Sequence, residues 1–226
     1  MMKKRIVIKL SGSVFGETAN KKSLMKYAKL LKSIGRKMQI VVVAGGGYIA
    51  RYYINLAREL GVDEASLDEL GIEVSRLNAQ LFVYALGDAA YPHIPKNLHE
   101  IVVALETGKI VVAGGLHPGQ STNATSAQIA EKIDANMFIN ATDVAGIYNA
   151  DPNKYKNAKL FRSIGIHELQ NMIVNESTMA GAYDLMDIVA LKVIERSKLT
   201  TRVIKSDPSV IKRAAYGHNV GTIIIT

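Results

Sequence analysis

Short apolar runs alternate with stretches of helical spacing along the whole chain. Residues 6–10 form a first strand-like run, after which Leu24, Ala28, Leu31 and Ile34 recur at the spacing of one helix face, with Gly35 suited to end it. Residues 40–44 are almost continuously β-branched, the pattern of a strand buried on both faces. A helix is predicted over 48–60, stopped by Gly61, and another over 67–86 despite Gly71 within it. Pro92 and Pro95 mark a loop. The 98–105 segment reads as helix or strand, and Asn97, a good cap, tips it to helix. Strands at 110–113 and 137–141 bracket a helix over 124–133. Helices follow at 166–173 and 187–198, the second with Ile188, Leu191 and Ile194 on one face. A strand at 201–204, a helix opened by Asp207 and Pro208 and closed by Gly217, and a strand at 222–225 complete the pattern. Such alternation predicts an α/β fold, a three-layer αβα sandwich around a mainly parallel sheet, in a single domain over 1–226.

Composition narrows the class. The 226 residues are 48% hydrophobic and 21% charged, the balance of an ordinary globular protein. No run approaches the length of a membrane span, and Lys9 interrupts the apolar start before a leader peptide could form, so a soluble cytoplasmic protein is expected. There is no cysteine, which excludes disulfides and thiolate metal sites. The net charge is +8, yet the basic residues do not gather into one block; Lys3, Lys4 and Arg5 are the densest cluster. A solvated basic surface explains most of them, and an anionic small substrate fits the excess as well as nucleic acid does.

Four segments carry candidate chemistry, each ending or following a strand-like run: KLSGS at 9–13, GGGYIAR at 45–51, GGLHPGQST at 114–122 and TDVAGIYNADP at 142–152. Glycines after a strand let backbone N–H groups approach an anion. Lys9 can set a charge against a phosphoryl group while Leu10, Ser11, Gly12 and Ser13 bind its oxygens; a plain tight turn with an edge lysine is the rival reading. The Lys9 end of the strand is expected to face solvent, so that replacing Lys9 should leave the fold intact. Gly45, Gly46 and Gly47 lead into a helix whose N-terminus attracts anions, and Arg51 lies one turn in. The 114–122 loop repeats that arrangement, with Ser121 or Thr122 as a helix cap and His117 as loop surface. The 142–152 stretch joins a hydroxyl, two carboxylates and the Tyr148 ring, suited to a nucleoside, although Gly146 and Asp151-Pro152 also make a turn. No Walker motif occurs, which argues against a P-loop kinase.

Taken in order, these segments resemble the amino-acid kinase superfamily (a carbamate kinase-like fold), and within it the archaeal branch of the uridylate kinase family. The most specific pieces are GGGxxAR ending at Arg51, LDELGI at 67–72, PGQST at 118–122, and AGAYDLMD at 180–187 followed by ERSK at 195–198. The resemblance implies transfer of a phosphoryl group from ATP to UMP with Mg²⁺, feedback inhibition by UTP at the UMP site, a place in pyrimidine nucleotide biosynthesis, and a homohexamer. It implies an acceptor side in the N-terminal part and an ATP side in the C-terminal part. Lys9, Leu10, Ser11, Gly12, Ser13, Gly47, Arg51, Thr142, Tyr148 and Asp151 would serve ATP. Gly46, Asp68, Leu116, His117, Pro118, Gly119, Gln120, Ser121 and Thr122 would serve UMP. Asp187 matches an acidic residue that organises the catalytic lysine, Lys9. Asn123 departs from the aspartate of bacterial relatives, which removes a negative charge there. No protein ligand of Mg²⁺ stands out, and the nucleotide phosphates can supply most of its coordination.

A phosphate acceptor is already nucleophilic at neutral pH, so such a reaction needs positioning and charge rather than a general base. That agrees with the lack of a convincing base among the five histidines. Two other classes compete: a kinase of the same superfamily acting on a carboxylate or carbamate, and a non-catalytic nucleotide-binding protein, which could dispense with Lys9 and Asp187. Asp68 discriminates against the first, because a carboxylate suits a ribose diol and repels a carboxylate substrate. A nucleic-acid or membrane partner lacks the basic-aromatic patch or apolar span it would need.

Overall fold

The computed structural model describes residues 3–16, 20–175 and 185–226. One seven-stranded sheet organises them: β1 (Arg5–Leu10), β2 (Gln39–Ala44), β3 (Val111–Ala113), β4 (Met137–Thr142), β5 (Ser163–Gly165), β6 (Thr201–Lys205) and β7 (Thr222–Ile225), in the spatial order β3-β2-β1-β4-β6-β7-β5. All neighbouring pairs run parallel except β6 with β7. The continuous apolar runs of β1, β2 and β4 are central and buried on both faces, as runs without alternation require.

The described residues form eight α-helices: α1 (Lys21–Gly35), α2 (Gly47–Glu59), α3 (Glu64–Leu86), α4 (Leu98–Glu106), α5 (Thr122–Lys132), α6 (Ile166–Asn175), α7 (Ile188–Ser197) and α8 (Pro208–Ala215). One core joins α4, α5, α6 and α7 to the sheet through Val7, Val43 and Phe138. The other joins α1, α3 and α8 to the opposite face through Ile8, Val42 and Ile139. The three-layer expectation therefore holds. Phe82 of α3 is fully buried in the second core, edge-on to Phe15 and Tyr27. A side chain of that size contributes about 1.5–3 kcal/mol by leaving water.

Capping residues start the helices where the sequence places them. Asn97 accepts from the Glu100 N–H at 2.9 Å, which settles the ambiguous 98–105 segment as helix. Asp207 caps α8 with proline behind it. The sheet edge departs from expectation. β5, with three residues, has no periodicity to reveal it, and the antiparallel direction of β7 comes from its pairing rather than from its own sequence.

Two central strands set the site. The chain leaves β1 to build β2 and β3 on one side, then returns to lay β4 on the other. Sheets of this kind bind ligands where the strand order reverses, beyond the carboxyl ends of the strands. The loops after β1 and β4 flank that crevice.

Candidate functional site

A cavity of about 540 Å³ opens at this switch point. Lys9, Ser11, Gly12 and Ser13 line it from the β1 loop, Gly45 to Gly47 and Arg51 from the β2 loop and α2, and Gln120 and Thr122 from the loop before α5. Asp68 faces it from α3. Ten of the residues expected to bind substrates thus share one cavity. The structure adds Ala50, Ile54, Gly71, Ile72, Ser75, Gly115 and Asp143 to its walls.

Lys9 is the first correction. Its strand end is not solvent-facing: Lys9 is only 8% exposed and pairs in register with Val43 and Asn140. Strand alternation puts it on the α5 face of the sheet, beside Asn140. Burying an ammonium group costs several kcal/mol unless its surroundings compensate. Lys9 also lines the cavity, so a cation stands at its wall.

The glycines hold two loops against each other. A Cβ on Gly12 would lie 2.1 Å from the Gly47 nitrogen, and one on Gly47 would lie 2.3 Å from the Gly12 carbonyl oxygen. Gly47 also has φ +67°, a conformation that side chains disfavour. The backbones of the two loops are therefore packed against each other at one cavity wall. Of the described α-helices with a defined N-cap, α2 is the one without a side-chain cap, so its first N–H groups stay available.

The 114–122 loop is built differently. Ser121 Oγ accepts from the N–H groups of Asn123 and Ala124 and closes the start of α5. Its hydroxyl donates to the Asp187 carboxylate, whose other oxygen caps α7 by accepting from the Ala190 N–H at 2.9 Å. Asp187 joins the starts of two helices and does not line the cavity. Asp68 accepts from the Gly119 N–H at 2.6 Å, so it both faces the cavity and holds this loop. Leu116 is core, while His117, Pro118 and Gly119 are exposed beyond the cavity walls.

Asn123 has a role of its own. Its Nδ2 donates to the Leu185 carbonyl at 3.3 Å, and Asn140 donates to the same oxygen. An aspartate would have no proton to give there, so an amide is what this chain's packing uses. Of the AGAYDLMD segment, residues 180–184 lie outside the described residues.

On the 142–152 stretch, the cavity receives Asp143 rather than the residues expected to serve ATP. The Ser13 hydroxyl donates to the Asp143 carboxylate, and the Ser13 N–H to Ser11 Oγ at 3.3 Å. Thr142 is buried and donates to the Val144 carbonyl at 3.0 Å. Asp151 accepts from the Asn153 N–H at 2.9 Å in a turn, and Tyr148 bridges to Leu160. Leu10 is fully buried, and its carbonyl accepts from the Gly45 N–H.

Sequence reading missed Ser75 and Asp143. A signal for Ser75 existed: Asp68, Gly71, Ile72 and Ser75 recur at helical spacing on one face of α3. Ser75 Oγ accepts from the Gly115 N–H at 2.7 Å, and Arg76 Nε donates to the Gly115 carbonyl at 3.2 Å. α3 thus clasps the second glycine loop.

A parallel sheet with a buried strand-end lysine, facing glycine loops and a switch-point cavity defines a class: α/β enzymes that hold polyanions for phosphoryl transfer. The chain belongs to the amino acid kinase family, whose sequence model matches residues 4–205. It is 43% identical over 223 residues to a protein of Methanobrevibacter smithii named uridylate kinase, spanning 98% of this chain and 99% of that one. A uridylate kinase of Hyperthermus butylicus is 44% identical over 229 residues, covering 99% of each. The solved uridylate kinase of Archaeoglobus fulgidus superposes with a TM-score of 0.87 at 37% identity, over 97% of this chain and 99% of that one. UMP kinase of Bacillus anthracis gives 0.81 at 26%, over 100% and 97%.

Proposed function

We propose that this protein transfers the γ-phosphoryl group of ATP to UMP, forming ADP and UDP for pyrimidine nucleotide synthesis. The observation that carries the reading is the switch-point cavity where Lys9, the glycine loops after β1 and β2, and Asp68 meet. The archaeal relatives supply the nucleoside.

In this reading Asp68 and the 116–122 loop hold UMP, with the Asp68 carboxylate accepting from ribose hydroxyls. ATP lies against the 9–13 loop, Gly47 and Arg51, with its nucleoside toward Thr142, Tyr148 and Asp151. The UMP phosphate attacks the γ-phosphorus in line, and the bond to the β,γ-bridging oxygen breaks. Lys9 and the loop N–H groups stabilise the charge on the transferring group. Asp187 acts behind them by orienting the lysine side of the site.

Magnesium would arrive with ATP. The described residues contain no group of three or more His, Asp or Glu side chains able to hold a metal. One carboxylate, Asp143, stands beside Ser13 at the cavity. One carboxylate plus phosphate oxygens and water suits this ion, so Asp143 is the residue that would hold it. When bound, the ion neutralises charge on the phosphates.

UTP shares the uracil and ribose of UMP and would inhibit by occupying the acceptor site. Self-association, to a hexamer in our reading, draws support from exposed Tyr52, Tyr53 and Leu60 on and beside α2, and from Leu77 and Tyr84 on α3. Among the described residues no helix is long and apolar enough to cross a membrane. A cytoplasmic, single-domain enzyme is the corresponding proposal.

The deciding experiment is a coupled ADP-release assay with UMP, CMP, dUMP and N-acetylglutamate as acceptors. UMP should be best and dUMP poorer, since loss of the 2′-OH leaves Asp68 without a partner at about 1–3 kcal/mol. N-acetylglutamate should not react. Phosphorylation of N-acetylglutamate and not of UMP would overturn the assignment.

A further inference from the structure

The α3 helix reaches the first glycine loop through a residue that does not line the cavity. Asn78 is 5% exposed, and its Nδ2 donates to two successive carbonyls, Gly45 O at 2.8 Å and Gly46 O at 3.2 Å. In a trans peptide the carbonyl and the following N–H point in opposite directions. Tying the carbonyls of Gly45 and Gly46 to the Asn78 amide therefore turns the N–H groups of Gly46 and Gly47 away from that amide, and both glycines line the cavity. Gly46 is right-handed, at φ −72° and ψ −34°, while Gly47 has φ +67°. A right-handed residue followed by a left-handed one curls successive N–H groups toward a common point, which makes an anion nest.

We propose that Asn78 is a positioning residue that aims this nest at the phosphoryl group in transit. The inference rests on the phosphotransfer reading above and adds a residue that never touches substrate. One side-chain amide, with two hydrogens, orients both peptides. An alanine there would take away the tie on the Gly45 carbonyl and leave the Gly46 carbonyl only the 3.4 Å bond from the Ala50 N–H. An aspartate would set a carboxylate against two carbonyl oxygens.

The rival explanation is that Asn78 only satisfies buried carbonyls and keeps α3 packed. Thr201 supplies the comparison, because it is fully buried, donates to a backbone carbonyl, that of Leu199, at 2.9 Å, and does not line the cavity. Thermal unfolding of the wild type, Asn78→Ala and Thr201→Val would be followed with and without inorganic pyrophosphate, which carries no nucleoside. Steady-state kinetics with ATP and UMP would accompany it.

The wild type and Thr201→Val should gain melting temperature with pyrophosphate, and Asn78→Ala should lose more than half of that gain. Its kcat should fall about 10²-fold, the scale of a lost oxyanion donor, with smaller changes in either KM. Should the alanine variant not fold, Asn78→Ser takes its place in the same comparison. An undiminished pyrophosphate shift in the Asn78 variant overturns the proposal, as does an equal loss in Thr201→Val or no shift in the wild type. A wild type that answers to pyrophosphate but does not phosphorylate UMP would defeat the substrate reading and leave the nest standing.

Discussion

The loops at 45–47 and 114–122 look alike in sequence, each placing glycines between a strand and a helix, yet they end in opposite states. The start of α2 has no side-chain cap, and its Gly47, Ala50 and Arg51 line the shared cavity. The start of α5 is closed by Ser121, itself tied to Asp187. Helix N-terminal donors are one resource, and the chain's own hydroxyl and a ligand compete for it. The first loop keeps that resource for an anion. The second gives it to Ser121 and presents side chains, Gln120 and Thr122, with Asp68 bound behind it.

The largest expected effect comes from closing the first loop. Gly47→Ala puts a Cβ into the Gly12 carbonyl at φ +67° and should cut kcat by about 10²-fold or more. Gly119→Ala has a similar φ of +74° but open space around it, and should cost only the local strain of about 1–2 kcal/mol. Equal kinetic losses in the two would erase the contrast. Next comes the charge beside the open loop. Lys9→Ala should lower kcat by about 10²-fold in a protein that still folds; near-normal turnover would remove Lys9 from the chemistry.

Asp187→Asn tests what the closed loop shares with the catalytic side. Asn caps well, so melting should stay close to wild type while kcat drops roughly tenfold if the carboxylate charge orients Lys9. Unchanged turnover would reduce Asp187 to a cap. Ser121→Ala should lower stability by about 1 kcal/mol, read by denaturant melts, with less than a threefold change in kcat. A large kinetic loss there would mean the α5 start serves a ligand after all.

The smallest effect concerns the helix that holds the second loop. The Ser66 hydroxyl, with the Ser66 N–H, keeps the Asp63 carboxyl below its usual range at the start of α3. The folded value lies below the unfolded one, so this stabilisation is complete above the unfolded value and is lost as pH falls through the folded value. Amide exchange near Ser66, corrected for its intrinsic pH dependence, should show less protection below about pH 4. In Asp63→Asn that extra acid loss should disappear.

Local chemistry made much of this legible. Buried strands betray themselves as unbroken apolar runs, and Asn97, Asp187 and Asp207 mark helix starts because a cap acts within three residues. The short β5 had no such signal, since its partner β7 is nearly sixty residues away along the chain and supplies its hydrogen bonds. Asp143 lay inside a recognised motif, yet only the Ser13 contact distinguishes it from Asp151.

The sequence alone thus determined the order of strands and helices, the glycine loops at strand ends and the family to which they belong, because periodicity, caps and turn residues act over a few positions. Tertiary structure alone decided that Lys9 is buried, that one helix start is open and the other shut, and that α3 holds both loops. Those outcomes turn on contacts such as Asn78 with Gly45 and Ser121 with Asp187, between residues 33 and 66 positions apart, where no local preference reaches.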